Sequence, residues 1–187
     1  MKHSLRVMTL LAMLAVAAPA AAQDQRLFVN GDSLAVGTEP YFPGALPGWS
    51  IRTSASISRH AFEGPGVLRS MGSALPRVIA VSLGTNDDPR HTAGFRNAIR
   101  QTMAVAGPSR CVVWATINRP PVAGTPYTAN NTLLREEARQ RPNLFVVRWR
   151  QLVRANPQWL AGDGVHVDAV GYRARSRAFA RQIAKCP

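Results

Sequence analysis

Short apolar, β-favouring runs alternate with helix-like segments along this chain, and that alternation restricts the fold more than any other feature. The runs are "RLFV" from Arg26 to Val29, "WSIRTSA" from Trp49 to Ala55, "RVIAVSLG" from Arg77 to Gly84, "CVVWATI" from Cys111 to Ile117 and "NLFVVRW" from Asn143 to Trp149. The third is continuous and apolar, as a strand covered on both faces must be. Between the runs, Thr92 can cap "AGFRNAIRQTMAVAG", and "YTANNTLLREEARQR" stops before Pro142. A last helix is expected from near Asp168 to about Lys185, with Val170, Ala174, Ala178 and Phe179 partly on one face. Such a chain predicts an α/β fold. Helices should cover both faces of a five-stranded parallel sheet, a three-layer α/β/α sandwich of flavodoxin-like order 2-1-3-4-5.

In a doubly wound sheet, ligands bind beyond the carboxyl ends of the strands, where the strand order reverses. Gly31-Asp32-Ser33 follows the first strand, "GTND" (Gly84 to Asp87) follows the third, and "DGVH" (Asp163 to His166) precedes the last helix. Three polar stations far apart in sequence should therefore share one edge of the sheet. A serine hydroxyl is a poor nucleophile at neutral pH and needs a base, which in turn needs an orienting group. Asp163 and His166 have a spacing that lets a carboxylate hold one imidazole nitrogen while the other faces Ser33. Attack on an ester also creates an oxyanion, for which the Asn86 side chain and the Ser33 backbone N–H are candidate donors. Each station alone is ordinary turn sequence; the ordered set points to a site.

The same residues carry a resemblance. "GDSL" at Gly31 to Leu34, "GTND" and "DGVH" are similar to the first, third and fifth blocks of the SGNH (GDSL) hydrolases, in that family's order and across the chain that follows the leader-like start. The broader α/β-hydrolases are less similar, because there is no G-x-S-x-G elbow. The resemblance implies hydrolysis or transfer of acyl groups through an acyl-serine, with no metal or organic cofactor. It assigns Ser33 as nucleophile, His166 as base and Asp163 as its partner. Gly84 would allow close backbone approach beside the oxyanion, Asn86 would donate to it, and Asp32 would brace the first block. In the second block the family normally has a glycine whose N–H joins the oxyanion hole. Here the segment is "SISRHAFEG", and Ser58 stands in the glycine's place. The N–H survives that replacement, but a positive φ would strain a serine there.

Other residues are weaker candidates. His60 and His91 could line the cleft, and Arg59 and Arg90 could meet an anionic group, though loop and surface roles are as natural. Trp114 and Trp149 sit inside expected strands and read as core. Asp87-Asp88 has no partner cluster of metal ligands.

The first 22 residues read as a cleavable signal: Lys2, His3 and Arg6, then an apolar run, then "APAAAQ" with an A-x-A site ending at Ala22. The run is short for a bilayer span. A secreted or periplasmic protein is expected, with residues 23–187 as a single domain and no transmembrane segment. Formal charge is +13, nearly all arginine. Such a surface suits loose association with anionic envelope polymers, or is simply solvated. The arginines are scattered along the sequence, and no nucleic-acid motif accompanies them. Cys111 opens the fourth strand at the end remote from the site, and Cys186 should end the last helix there too, so a disulfide is expected. Three functional readings follow: an esterase acting on small acyl esters or O-acyl groups on carbohydrate, an O-acyltransferase on envelope glycans, and a non-catalytic basic binding module. Nothing in the sequence fixes an oligomeric state.

Overall fold

The computed structural model describes residues 25–187, so the expected signal at 1–22 lies outside the described residues. Five strands, β1 (Arg26–Gly31), β2 (Ser50–Ala55), β3 (Val78–Ser82), β4 (Cys111–Ala115) and β5 (Leu144–Val147), form one sheet in the order β2-β1-β3-β4-β5. Every neighbouring pair is parallel. The predicted fold class and strand order are observed.

Alternation along each strand divides the core in two. Phe28, Ile79, Val81, Val112 and Trp114 face one side, where they meet helices α3 (Gly64–Ser70), α4 (Thr92–Ala106) and α5 (Thr128–Arg139). Leu27, Val29, Val78, Ala80 and Val113 face the other, against α1 (Ser33–Thr38), α2 (Phe42–Ala45), α6 (Trp149–Ala155) and α7 (Ala169–Ile183). Apolar area of this kind, removed from water, is the main stabilising term; each large side chain contributes about 1.5–3 kcal/mol. Phe95 and Trp114 meet edge to face with centroids 5.9 Å apart, and the Trp114 indole donates to the Leu83 carbonyl.

Two local expectations change. Trp149 does not lie in the fifth strand; it opens α6. Pairing ends where the Thr116 N–H reaches the Val147 carbonyl, and Thr116 Oγ1 then takes the Arg150 N–H. Val147 and Trp149 both bury on the same face, as two residues of a continuing strand would, so the sequence pattern hides the change. Thr92 is the first residue of α4 rather than its cap; His91 holds the cap position, without a side-chain bond.

The disulfide is present. Cys111 and Cys186 are bonded, with Cα atoms 5.7 Å apart and a sequence separation of 75. A closed loop of that length stabilises by about 4 kcal/mol in the chain-entropy account.

Candidate active site

Ser33 is the first residue of α1, immediately beyond the carboxyl end of β1. The turn is fixed by Asp32, which is fully buried. Its N–H donates to the Ser82 carbonyl at the end of β3. Its Oδ1 accepts from the Leu34 N–H at 3.0 Å, capping the helix, and from the Ser82 hydroxyl at 3.1 Å. Burial raises the Asp32 pKa, and the nearby Arg175 charge opposes that rise. As the first helical residue, Ser33 has a backbone N–H with no intrahelical acceptor.

The histidine arrives from the loop before α7. An antiparallel bridge between Leu160 and Val167, with the Ala161 N–H on the His166 carbonyl, closes this loop at its base. Gly164, at φ +68°, allows the tight reversal inside it. Asp168 caps α7 through the Gly171 N–H at 2.7 Å. Within the loop, Asp163 Oδ1 accepts the backbone N–H groups of Val165 and His166, which turns its other oxygen toward the ring. Asp163 Oδ2 lies 2.5 Å from His166 Nδ1, and His166 Nε2 lies 2.8 Å from Ser33 Oγ. The hydrogen bond from His166, with those from the loop backbone, lowers the Asp163 pKa to about 2. The carboxylate therefore stays charged and fixes the ring so that Nε2 faces the hydroxyl. A serine so placed can give up its proton as it attacks a carbonyl.

These three residues, with Ile57, Ser58, Asn86 and Arg119, line a cleft of about 360 Å³. Asn86 Nδ2 donates one hydrogen to the Arg59 carbonyl at 3.1 Å, and its Oδ1 lies 3.4 Å from Arg119 Nη1. A side-chain amide carries two hydrogens, so one remains for a ligand. Ser58 adopts φ +64°, the left-handed conformation that glycine favours. Neither the Ser33 nor the Ser58 backbone N–H has a hydrogen-bond partner among the described residues. Gly84 stands one layer back. It is buried, it adopts φ +111°, and a Cβ there would strike Phe95 and Ile117. Its lack of a side chain serves that packing rather than clearance in the cleft.

The weaker candidates go elsewhere. Arg59 is spent on the carbonyls of Gly31 and Ser54, where it ties the ends of β1 and β2 to the Ser58 turn. Arg90 pairs with Asp88. His60 bonds Asp87 at 3.1 Å and, with His91, lines a neighbouring hollow of about 320 Å³ instead of the cleft. Sequence reasoning missed Arg119. It donates to the Thr85 carbonyl at 2.7 Å and so secures the segment that carries Asn86. The signal was available, because the loop after β4 leaves the same edge of the sheet as the other three.

Solved structures share this architecture. The C-terminal catalytic domain of peptidoglycan O-acetyltransferase A from Streptococcus pneumoniae, in a methylsulfonyl adduct, superposes with a TM-score of 0.69 at 20% identity, covering 88% of this chain and 93% of that one. The fold is that of the SGNH hydrolases. A member of the lipolytic G-D-S-L family from Veillonella parvula gives 0.68 at 14% identity, covering 86% and 96%. A family 3 carbohydrate esterase from Clostridium thermocellum gives 0.68 at 16% identity, covering 86% and 95%. No protein-family model and no curated protein sequence matches the chain. At these identities the SGNH likeness is one of fold, and the chemistry rests on the residues above.

Proposed function

We propose that the protein is an exported serine esterase that removes small acyl groups, including O-acyl groups on carbohydrate, through an acyl-serine. The observation that carries this reading is the hydrogen-bonded row Ser33–His166–Asp163 opening into a cleft beside the Asn86 amide. Ser33 Oγ attacks the ester carbonyl carbon while its proton passes to His166 Nε2. The carbonyl oxygen becomes an oxyanion facing the N–H groups of Ser33 and Ser58 and the free amide hydrogen of Asn86, preorganised donors that favour the transition state. Collapse of the intermediate breaks the ester C–O bond, and His166 returns the proton to the departing alcohol. Water then attacks the acyl-serine carbonyl as His166 takes its proton; the C–O bond to Ser33 breaks, His166 returns that proton to Ser33 Oγ, and the carboxylic acid leaves. The leader-like residues 1–22 and the disulfide support export, with residues 23–187 acting as one domain.

The test is mapping of a fluorophosphonate label together with turnover of a chromogenic acetyl ester. The label is expected on Ser33, and Ser33→Ala should abolish both signals with the fold intact. Unchanged turnover in that variant overturns the assignment.

A second reading replaces water by a sugar hydroxyl, which makes the protein an O-acetyltransferase. Its support is the likeness to the streptococcal O-acetyltransferase domain, together with a cleft open to solvent at Asp163 and Ser58. Acetyl-sugar formation measured against acetate release separates the two. A non-catalytic binding module predicts no label at all.

A further inference from the structure

Arginines scattered along the sequence converge in space at the open edge of the sheet. β5 is the last strand, with α5 packed over one of its faces and α7 over the other. A groove of about 470 Å³ runs between them, along the outer side of β5. Arg135 and Arg139 reach it from α5, Arg148 from the end of β5, and Lys185 from just past α7. Among the described residues, no acidic side chain lines it.

Some surface cations elsewhere have acidic partners. Arg90 is paired with Asp88, and Arg100 and Arg141 both pair with Glu137. In the groove, Arg135 reaches only the Thr132 hydroxyl, and the side chains of Arg139, Arg148 and Lys185 have no hydrogen-bond or ion-pair partner among the described residues. Like charges held around one concavity repel, and an anion placed among them removes that cost. Guanidinium groups also present a planar fork that matches a carboxylate with two hydrogen bonds. The floor is the outer edge of β5, where the half-buried Phe145 and Val146 are the apolar side chains that reach the surface. A flexible peptide acid would leave that floor unused, whereas a sugar ring offers a C–H face to cover it.

We propose that this groove binds an acidic polysaccharide, its carboxylates on the arginines and a sugar ring over Phe145. The binding is separate from the esterase reading, because it involves no residue of the cleft and is read without turnover.

The experiment measures binding of the purified protein to polygalacturonate, with neutral dextran, polyglutamate and single-stranded oligonucleotide as comparators. Polygalacturonate should bind best, and its affinity should fall by about tenfold or more between 50 and 200 mM salt, as screening weakens a multi-charge contact. Arg139→Glu with Arg148→Glu should weaken binding by a similar factor or more, with small-ester turnover unchanged. Phe145→Leu should weaken polygalacturonate while leaving polyglutamate unaffected. Equal or tighter binding of polyglutamate or the oligonucleotide overturns the saccharide assignment. If the double variant binds as the wild type does, or self-associates while its monomer still binds, the cations only guard the strand edge and the proposal fails.

Discussion

The side-chain amide of Asn86 donates to the backbone carbonyl of Arg59 at 3.1 Å, and Arg59 directly follows Ser58. Two of the proposed oxyanion donors, from different loops, are thereby held to each other. Arg59 extends the tie, since its guanidinium also holds the carbonyls of Gly31 and Ser54. A shift in either loop would move both donors together.

If Ser58 serves through its backbone N–H, its side chain is dispensable. Ser58→Gly removes a left-handed strain of about 1 kcal/mol. It also frees the unfolded chain by a similar amount, so the melting temperature should hardly move. The kcat for a small acetyl ester should be kept. A fall of about 10²-fold would assign the donor to the hydroxyl instead.

Arg119 secures Asn86 from the other side. Arg119→Met should lower kcat by about 10- to 100-fold, because small displacements of a donor are costly in the transition state. The KM for a small neutral ester should stay the same. A change confined to KM would make Arg119 a substrate contact, not a positioning residue.

Arg175 is buried under the turn that carries Ser33. It donates to the Ser82 hydroxyl at 3.1 Å, and its guanidinium lies 5.2 Å from the Trp149 ring centroid and 5.1 Å from that of Phe179. Burial lowers its pKa to about 10, against the opposing pull of Asp32. Arg175→Met keeps much of the bulk but leaves Asp32 without its counter-charge, which should cost about 3–5 kcal/mol in urea unfolding. Adding Asp32→Asn should recover part of that loss. The deficit should also shrink on acidification. A carboxyl whose folded pKa is raised favours the folded state at low pH, and loses that contribution as pH rises from its unfolded value through the folded one. Two additive substitutions would show that the charges are not coupled.

Asp163 has the opposite sign. Its folded pKa, held down to about 2 by His166 and the loop N–H groups, lies below the ordinary carboxylate value. Any stability it contributes is fully present above the unfolded value and is lost as pH falls toward 2. A carbon-detected titration of the side chain should show a midpoint near 2. A midpoint at the model-compound value of about 3.9 would mean that the bond to His166 does not persist in solution.

Much of this arrangement was legible in the sequence because one topological rule does most of the placing. Once the alternation gives a parallel sheet, Ser33, Asn86 and His166 must leave the same edge. The rule was applied to three loops and not to the fourth, which is why Arg119 was overlooked. Trp149 was misplaced for a different reason: burial two residues after Val147 is the same whether the chain continues as strand or turns into a helix. The positive φ of Ser58 was signalled only by the glycine that the resembling family carries at that place, since serine itself has no preference for that conformation. The groove at β5 was invisible for the converse reason. Arg135, Arg139, Arg148 and Lys185 lie up to 50 positions apart in sequence and become neighbours only when α5 and α7 close over opposite faces of one strand.

The bond between Cys111 and Cys186 makes a covalent ring that contains the imidazole and its carboxylate but leaves Ser33 outside. An oxidised chain that begins to melt keeps the imidazole and its carboxylate on one tethered lasso, while β1 and the Ser33 turn that follows it lie outside the tether. Thermal inactivation should then report the departure of β1 from β3, ahead of any loss of order in the ring itself.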